Sequence, residues 1–127
     1  MVEVRPRVLV VDDEELLLRS LTRLLSRAGF DVVPHLTVAD ASAALRADPD
    51  IDVVLTDLRL GTTSGLDLIP IAAGSLGRPG VIVFSGAAAP EDVDAALAAG
   101  AAAVLRKPMA PAELIEAIEA VVTRSTG

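Results

Sequence analysis

Four short apolar runs, each ended abruptly by polar side chains, constrain the fold of this chain more than any other feature. The clearest is Val53–Leu55, which shows no polar alternation and passes through Thr56 to Asp57. Such runs predict strands buried on both faces, as in a parallel sheet covered by helices. The other three are Val8–Val11 before Asp12 and Asp13, Val81–Phe84 before Ser85 and Gly86, and Ala101–Leu105 before Arg106, Lys107 and Pro108. Open α/β sheets bind their ligands at the carboxyl ends of such strands.

The composition fits one globular domain in a reducing compartment. The chain has 127 residues, of which 52% are hydrophobic, and no apolar run approaches the length of a membrane span. It has no cysteine and no signal-peptide pattern, so we expect a cytoplasmic location. The net charge of −7 argues against direct nucleic-acid binding, and the aromatic fraction of 2% argues against stacking platforms for bases or flavins. We expect neither a nucleic-acid nor a membrane partner.

Strands alternate with amphipathic helices five times, which predicts a single-domain, flavodoxin-like (βα)5 fold with a doubly wound parallel sheet. Pro34 cannot donate to a ladder, so the second strand belongs at an edge and the order becomes 2-1-3-4-5. We expect the domain over residues 4–123 and a tail over 124–127. The expected strands are 7–11, 30–35, 53–57, 81–84 and 101–105, the expected helices start near 14, 37, 64, 90 and 111, and 58–63 is expected to be a loop.

Two features refine the expected helices. Asp12 or Asp13 should cap the first helix, since short acidic side chains accept hydrogen bonds from free amides at helix starts. Ser64 and Asp67 have the spacing of a capping box for the third helix, and Pro70 should make that helix irregular or kinked.

The strand order places the switch point of the sheet between the first and third strands, so Asp12, Asp13 and Asp57 should converge in one shallow cleft. Two carboxylates about 4 Å apart repel by roughly 4 kcal/mol at an effective dielectric constant near 20, so three of them call for a cation. Oxygen ligands on an open surface suit Mg²⁺. Lys107 offers a point charge suited to a phosphoryl oxygen, and the spare aspartate can act as a nucleophile.

The acidic residues also fit roles of different kinds. Helix capping alone accounts for Asp12 and Asp13 about as well as a functional site does, and Asp57 taken alone fits a loop aspartate. A phosphohydrolase with an aspartate nucleophile would need two acids separated by one residue, whereas here they are adjacent. A flavodoxin would need a hydroxyl-rich phosphate loop and aromatic residues against the flavin, and the sequence offers neither.

Over Arg7 to Val122 the chain resembles the receiver domain of two-component response regulators. The resemblance rests on polar positions at four successive strand ends and on Gly65, which fits a glycine that follows the phosphorylated aspartate. The matching positions are Asp12-Asp13, Asp57, Ser85 and Lys107-Pro108. The resemblance implies a phosphoacceptor that takes a phosphoryl group from a sensor histidine kinase, a phosphotransfer protein or a small phosphodonor. It implies no enzyme activity beyond promoting the domain's own phosphorylation and dephosphorylation.

The resemblance also implies a magnesium site next to the acceptor. Asp57 would carry the phosphoryl group. Asp12, Asp13 and Asp57 would bind Mg²⁺ together with the backbone carbonyl of Arg59. The peptide bond before Pro108 would be cis, against a background of about 5–6% for such bonds.

The remaining site residues would bind the phosphoryl oxygens. Lys107 would bind one oxygen, and Ser85 would move to hydrogen-bond another. Backbone amides of Leu58, Arg59 and Gly86 would complete the phosphoryl cradle. The bound group would then bias a two-state surface that a partner reads.

Several positions depart from the family pattern. Val104 stands where an aromatic ring usually acts with the strand-end hydroxyl as a switch, so we expect Ser85 to couple to a different or weaker surface change. Gly61 replaces a proline and suggests a more flexible loop. Arg59 and Ala87 occupy positions that tune dephosphorylation in the family.

The expected partners are a sensor kinase on one side and, on the other, an output domain or protein target, with a homodimer as a further option. The sequence leaves open whether the chain is a single-domain regulator or part of a longer protein. The serious alternative function is a degenerate receiver that acts as a phosphorylation-independent protein-interaction module.

Overall fold

The computed structural model describes residues 5–86 and 89–126, and within them lie seven strands and five α-helices. In chain order the strands are β1 (Arg7–Val11), β2 (Asp31–His35), β3 (Val53–Asp57), β4 (Arg59–Leu60), β5 (Thr63–Ser64), β6 (Gly80–Ser85) and β7 (Ala103–Arg106). The helices are α1 (Glu15–Arg27), α2 (Val38–Ala47), α3 (Leu68–Gly74), α4 (Pro90–Ala99) and α5 (Pro111–Thr126), and a 3₁₀ turn (Gly65–Asp67) precedes α3.

Five of these strands form a parallel sheet in the order β2-β1-β3-β6-β7. The other two, β4 and β5, pair with each other as a separate antiparallel hairpin. Counted over the sheet alone, the order is therefore 2-1-3-4-5, and the prediction of a flavodoxin-like α/β fold is confirmed. The register sets Val11 beside Thr56 and Asp57 beside Phe84, so the strand ends line up along one edge.

Successive side chains of each strand enter two cores on opposite faces of the sheet, as the two-residue strand period requires. Val8 and Val10 face α1 and α5 and pack in a cluster with Leu25 and Ile118. Leu9 and Val11 face the opposite way, toward α2, α3 and α4. Because all four strand residues are fully buried, each contributes about 1.5–3 kcal/mol of burial free energy, and together they hold the ends of β1 rigidly.

The start of α1 differs from the prediction. Glu14 is the N-cap residue and makes no side-chain capping bond, so the expectation that Asp12 or Asp13 caps this helix is wrong. Asp12 Oδ1 instead accepts the Glu14 amide at 2.8 Å, one position before the helix begins. This hydrogen bond holds the Asp12 carboxylate at the end of the strand.

The segment after β3 also differs. Residues expected as a loop form the β4–β5 hairpin, and Gly61 at its turn has φ of +66°, a conformation that proline cannot adopt. Ser64 accepts the Leu66 amide and begins a 3₁₀ turn, not the α-helix of a full capping box. Pro70 lies in the first turn of α3, where its missing amide costs no helical hydrogen bond. The helical segment is irregular in that its first three residues form the 3₁₀ turn.

The last helix continues through Thr126, so most of the segment expected as a tail is helical. The strand expected over 101–105 runs instead from Ala103 to Arg106. Residues 1–4, 87–88 and 127 lie outside the described part of the chain. They include the first residue of the expected domain, and Ala87 with its expected role in dephosphorylation. Among the described residues, no helix is long and apolar enough to cross a membrane.

Candidate functional site

Asp57 ends the central strand β3, and its side chain is 15% exposed at the carboxyl edge of the sheet. Its Oδ1 accepts a hydrogen bond from the Arg59 amide at 3.3 Å, and its main-chain carbonyl accepts one from the Thr56 hydroxyl at 3.0 Å. Gly65 packs against the same peptide, where an added Cβ would collide with the Asp57 carbonyl oxygen. The hairpin and the 3₁₀ turn therefore fix the backbone that carries this carboxylate.

Asp12 and Asp13 follow β1, the neighbour of β3 in the sheet. Asp12 is fully buried, whereas Asp13 is exposed. Burial raises the pKa of Asp12, and the nearby Asp57 charge adds to that rise. The Glu14 amide and the Lys107 ammonium oppose it. An ionised Asp12 is thus kept at this edge only with the help of fixed donors.

Lys107 joins two of the carboxylates. Its Nζ lies 3.3 Å from Asp57 Oδ2 and 3.5 Å from Asp12 Oδ2. The ammonium also lies 4.5 Å from the centroid of the Phe84 ring, at a distance where a cation–π attraction operates. The Lys107 amide donates to the Ser85 carbonyl at 2.9 Å, which anchors the residue to β6. The Lys107–Pro108 peptide bond is cis, as the resemblance implied.

An open cleft of about 500 Å³ gives access to these groups. Its lining includes Asp13, Asp57, Arg59, Ser85, Gly86 and Lys107. Ser85 is 6% exposed, in line with a hydroxyl at the buried end of a strand. The residues expected to bind phosphoryl oxygens from β6 and β7 therefore border the same space as Asp57.

One of the expected cradle groups is already engaged. The Leu58 amide donates to the Phe84 carbonyl at 3.0 Å, because the β3–β6 ladder extends one residue beyond Asp57. Binding of a phosphoryl oxygen by this amide would therefore have to replace or share this hydrogen bond, and that role stays a prediction. Val104 is partly buried on β7 and packs against the core on the α4 side of the sheet. It occupies the position of the usual aromatic switch residue but has no ring.

The donor set fits a hard divalent cation. Asp12, Asp13 and Asp57 each offer a carboxylate oxygen, and these three oxygens lie within 4.8 Å of one another. Carboxylate oxygens with room for water are the ligands that Mg²⁺ takes in proteins. The single positive charge of Lys107 offsets one of the three negative charges, so a cation would relieve the remaining repulsion.

One contact at the rim of the cleft could not be predicted from the sequence. Arg59 Nη2 lies 3.9 Å from Asp92 Oδ2, which joins the hairpin to the first turn of α4. The two residues are 33 positions apart, and no motif spacing links them. Only the placement of α4 beside the hairpin reveals the pair.

The comparisons with known proteins agree with this geometry. A family model described as the response regulator receiver domain matches residues 8–119. The transcriptional regulatory protein KdpE of Mycobacterium tuberculosis is 39% identical over 119 residues, which make up 94% of this chain and 52% of that protein. The chain spans about half the length of the curated relatives it matches.

Solved structures show the same fold. A response regulator receiver domain from Clostridium thermocellum superposes with a TM-score of 0.89 at 27% identity, covering 95% of this chain and 97% of that one. A response regulator from Burkholderia pseudomallei, solved with a phosphorylated aspartic acid, a calcium ion and citrate, gives a TM-score of 0.82 at 27% identity over 95% of this chain and 71% of that one. The chain belongs to the family of response regulator receiver domains of two-component systems.

Proposed function

We propose that this receiver domain accepts a phosphoryl group on Asp57 from a histidine kinase or a phosphotransfer protein. The observation that carries the proposal is the position of the Lys107 ammonium, which contacts both Asp57 and the buried Asp12 at the floor of an open cleft. The same geometry supports Asp57 over Asp12 as the acceptor. Asp12 is fully buried, whereas Asp57 is partly exposed and borders the cleft.

In the proposed reaction, Asp57 Oδ attacks phosphorus as the bond from phosphorus to the donor nitrogen breaks, and the leaving imidazole takes a proton from solvent. A carboxylate becomes an acyl phosphate, and no oxidant or reductant is required. Such transfers depend on positioning and charge neutralisation more than on covalent help from the protein. Lys107 holds one equatorial oxygen, since its amine already lies within contact distance of the acceptor.

We assign Asp12, Asp13 and Asp57, with the Arg59 carbonyl, as the Mg²⁺ ligands. When bound there, Mg²⁺ would offset the charge of the carboxylates and of the incoming phosphoryl group. The Ser85 hydroxyl and the Gly86 amide would bind the other oxygens. The solved Burkholderia relative with a phosphorylated aspartic acid and a calcium ion supports this chemistry by analogy.

The partners of the domain follow from the same proposal. The donor would be a sensor histidine kinase or a phosphotransfer protein, and the readout would be an output domain, a protein target or a second copy. The M. tuberculosis relative is named a transcriptional regulatory protein, so a DNA-binding output in the whole protein is compatible with a receiver that does not itself contact nucleic acid. A cytoplasmic location and the absence of separate enzyme activity stay predictions.

The test is intact mass spectrometry after incubation with acetyl phosphate and Mg²⁺. We expect wild type to gain the mass of one phosphoryl group, and both EDTA and Asp57→Asn to abolish the gain. Asp67→Asn is the matched control, because Asp67 is exposed and makes no side-chain capping bond. If wild type takes up neither acetyl phosphate nor the phosphoryl mimic beryllofluoride, the proposal is wrong and the phosphorylation-independent interaction module is favoured.

A further inference from the structure

Arg59 is tied to the acceptor through its backbone, while its side chain contacts a different element. The Arg59 amide donates to Asp57 Oδ1 at 3.3 Å, two residues along the chain. Its guanidinium reaches Asp92 Oδ2 at 3.9 Å, and the side chain is 76% exposed. The residue therefore stands between the acceptor and the start of α4, with a side chain that is free to change partner.

Asp92 links this contact to the structure of α4. Its Oδ2, the atom that faces Arg59, also accepts the Ala89 amide at 3.0 Å and so satisfies a free donor at the helix start. One carboxylate oxygen thus serves both the guanidinium and the helix cap. If the guanidinium moved away, this oxygen would keep its hydrogen bond from the Ala89 amide.

The charge of the cleft changes when Asp57 is modified. An acyl phosphate replaces the single negative charge of the carboxylate with about −1.5 to −2 charges and three acceptor oxygens, by analogy with phosphoserine. Lys107 and Arg59 are the two cationic side chains in the described lining of the cleft. Lys107 is already engaged with two carboxylates. Arg59 is therefore the cation with most to gain from the new anion.

The Arg59–Asp92 pair is weak enough to exchange. Ion pairs at the protein surface contribute about 0–1 kcal/mol. Here the Arg59 side chain is 76% exposed and that of Asp92 is 30% exposed, and the separation of 3.9 Å lies at the outer limit of such a contact. A guanidinium binds a phosphoryl group through two parallel hydrogen bonds, a geometry that strengthens the new contact. Once a phosphoryl group is present, its contact with Arg59 should therefore be stronger than the Arg59–Asp92 ion pair.

On the basis of the proposed phosphorylation of Asp57, we propose that Arg59 exchanges one anion for another. In the unmodified domain it pairs with Asp92, and in the phosphorylated domain it binds a phosphoryl oxygen. The exchange withdraws a contact from the first turn of α4 and so transmits the modification to that helix. Phosphorylation of Asp57 could then change the surface at α4 without an aromatic ring at position 104.

A double-mutant cycle tests the exchange. Beryllofluoride affinity would be measured by titration calorimetry in Mg²⁺ for wild type, Asp92→Asn, Arg59→Gln and the double variant. Asp92→Asn keeps an oxygen for the Ala89 amide but removes the competing charge, so we expect about 2–5-fold tighter binding. Arg59→Gln should bind more weakly, and Asp92→Asn should have no further effect in that background. Arg23→Gln, which removes an exposed charge on α1, is the matched control and should match wild type.

A second readout follows the guanidinium itself. In nitrogen-15 spectra the Arg59 Nε–Hε signal should shift on adding beryllofluoride in wild type, and Asp92→Asn should shift the same signal before the mimic is added. The exchange would be overturned if Asp92→Asn changed the beryllofluoride affinity equally in the wild-type and the Arg59→Gln backgrounds. It would also be overturned if Asp92→Asn had no effect on that affinity in either background. If wild type binds beryllofluoride but the cycle is additive, only the exchange fails. If wild type neither binds it nor becomes phosphorylated, the proposed function fails with it.

Discussion

Asp12 shows at the scale of one residue how a proposed metal ligand can oppose stability. Its carboxylate is fully buried, and burial raises its pKa above the ordinary value of 3.8. A group whose pKa is raised on folding binds its proton more tightly in the native state, so protonation favours folding. The stability penalty of an ionised Asp12 is therefore absent in acid and grows as pH rises from the unfolded toward the native pKa.

We accordingly predict that Asp12→Asn, measured in EDTA, has a higher free energy of unfolding than wild type at pH 7. The amide oxygen can still accept the Glu14 amide, so the local hydrogen bond is retained. The advantage should shrink as pH falls through the raised native pKa of Asp12, and it should be lost below the ordinary value of 3.8, where the carboxyl is protonated in both the folded and the unfolded wild type. Urea denaturation across this range measures both effects. A wild type that is more stable at pH 7, or a difference independent of pH, would contradict the argument.

At the scale of elements, the close approach of the 3₁₀ turn to β3 depends on one glycine. An added Cβ at Gly65 would collide with the Asp57 carbonyl oxygen and lie 2.7 Å from Thr56 Oγ1. Neither neighbour can move freely, since one is backbone and the other belongs to a buried residue. We predict that Gly65→Ala lowers the free energy of unfolding by about 1–3 kcal/mol and also slows acetyl phosphate uptake.

Gly74 supplies the matched control for this prediction, because it ends α3 and a Cβ there meets nothing within 4 Å. Gly74→Ala should be neutral or stabilising by up to about 1 kcal/mol, through loss of freedom in the unfolded chain. Chemical denaturation and the rate of mass gain distinguish the two variants. Equal stability of both alanine variants would show that the hairpin adjusts and that the close approach is not needed.

The elements that could be predicted from sequence were those with a strong local signal. β1 and β3 have the predicted bounds, 7–11 and 53–57, because each contains a continuous apolar run. The β4–β5 hairpin has two residues per strand, too short for any periodicity to show. The ion pairs of Arg7 with Asp31 and Asp48 likewise join separate elements at the opposite end of β1, where only the folded structure brings them together.

The residues of the candidate site likewise fall into those that could be predicted from the sequence and those that could not. Asp12, Asp13, Asp57 and Lys107 were predictable because parallel strands bring their carboxyl ends to one edge. The engaged Leu58 amide was not predictable, since it depends on the ladder continuing one residue past the strand. The Arg59–Asp92 contact depends on how α4 lies against the hairpin. Side chains at strand ends are fixed by topology, whereas contacts between loops depend on packing.

At the scale of the whole molecule, metal binding and folding should be coupled. The three carboxylates come from two neighbouring strands and meet only in the folded sheet, within a chain of net charge −7. A ligand that binds the native state alone stabilises it by about 2.7 kcal/mol at one hundred times its Kd. We predict that Mg²⁺ raises the melting temperature of wild type by several degrees beyond the effect of NaCl at matched ionic strength.

Two variants distinguish specific Mg²⁺ binding at the carboxylate cluster from the general attraction of an acidic protein for cations. Asp13→Asn removes an exposed ligand without opening the core, and it should abolish most of the Mg²⁺-specific stabilisation. Asp50→Asn removes the same charge from the exposed turn before β3 and should retain the full effect. Thermal denaturation of the three proteins over a Mg²⁺ series measures the difference. Equal stabilisation of both variants would mean that Mg²⁺ only screens the negative charge, and the carboxylate cluster would then lose its assignment as a metal site.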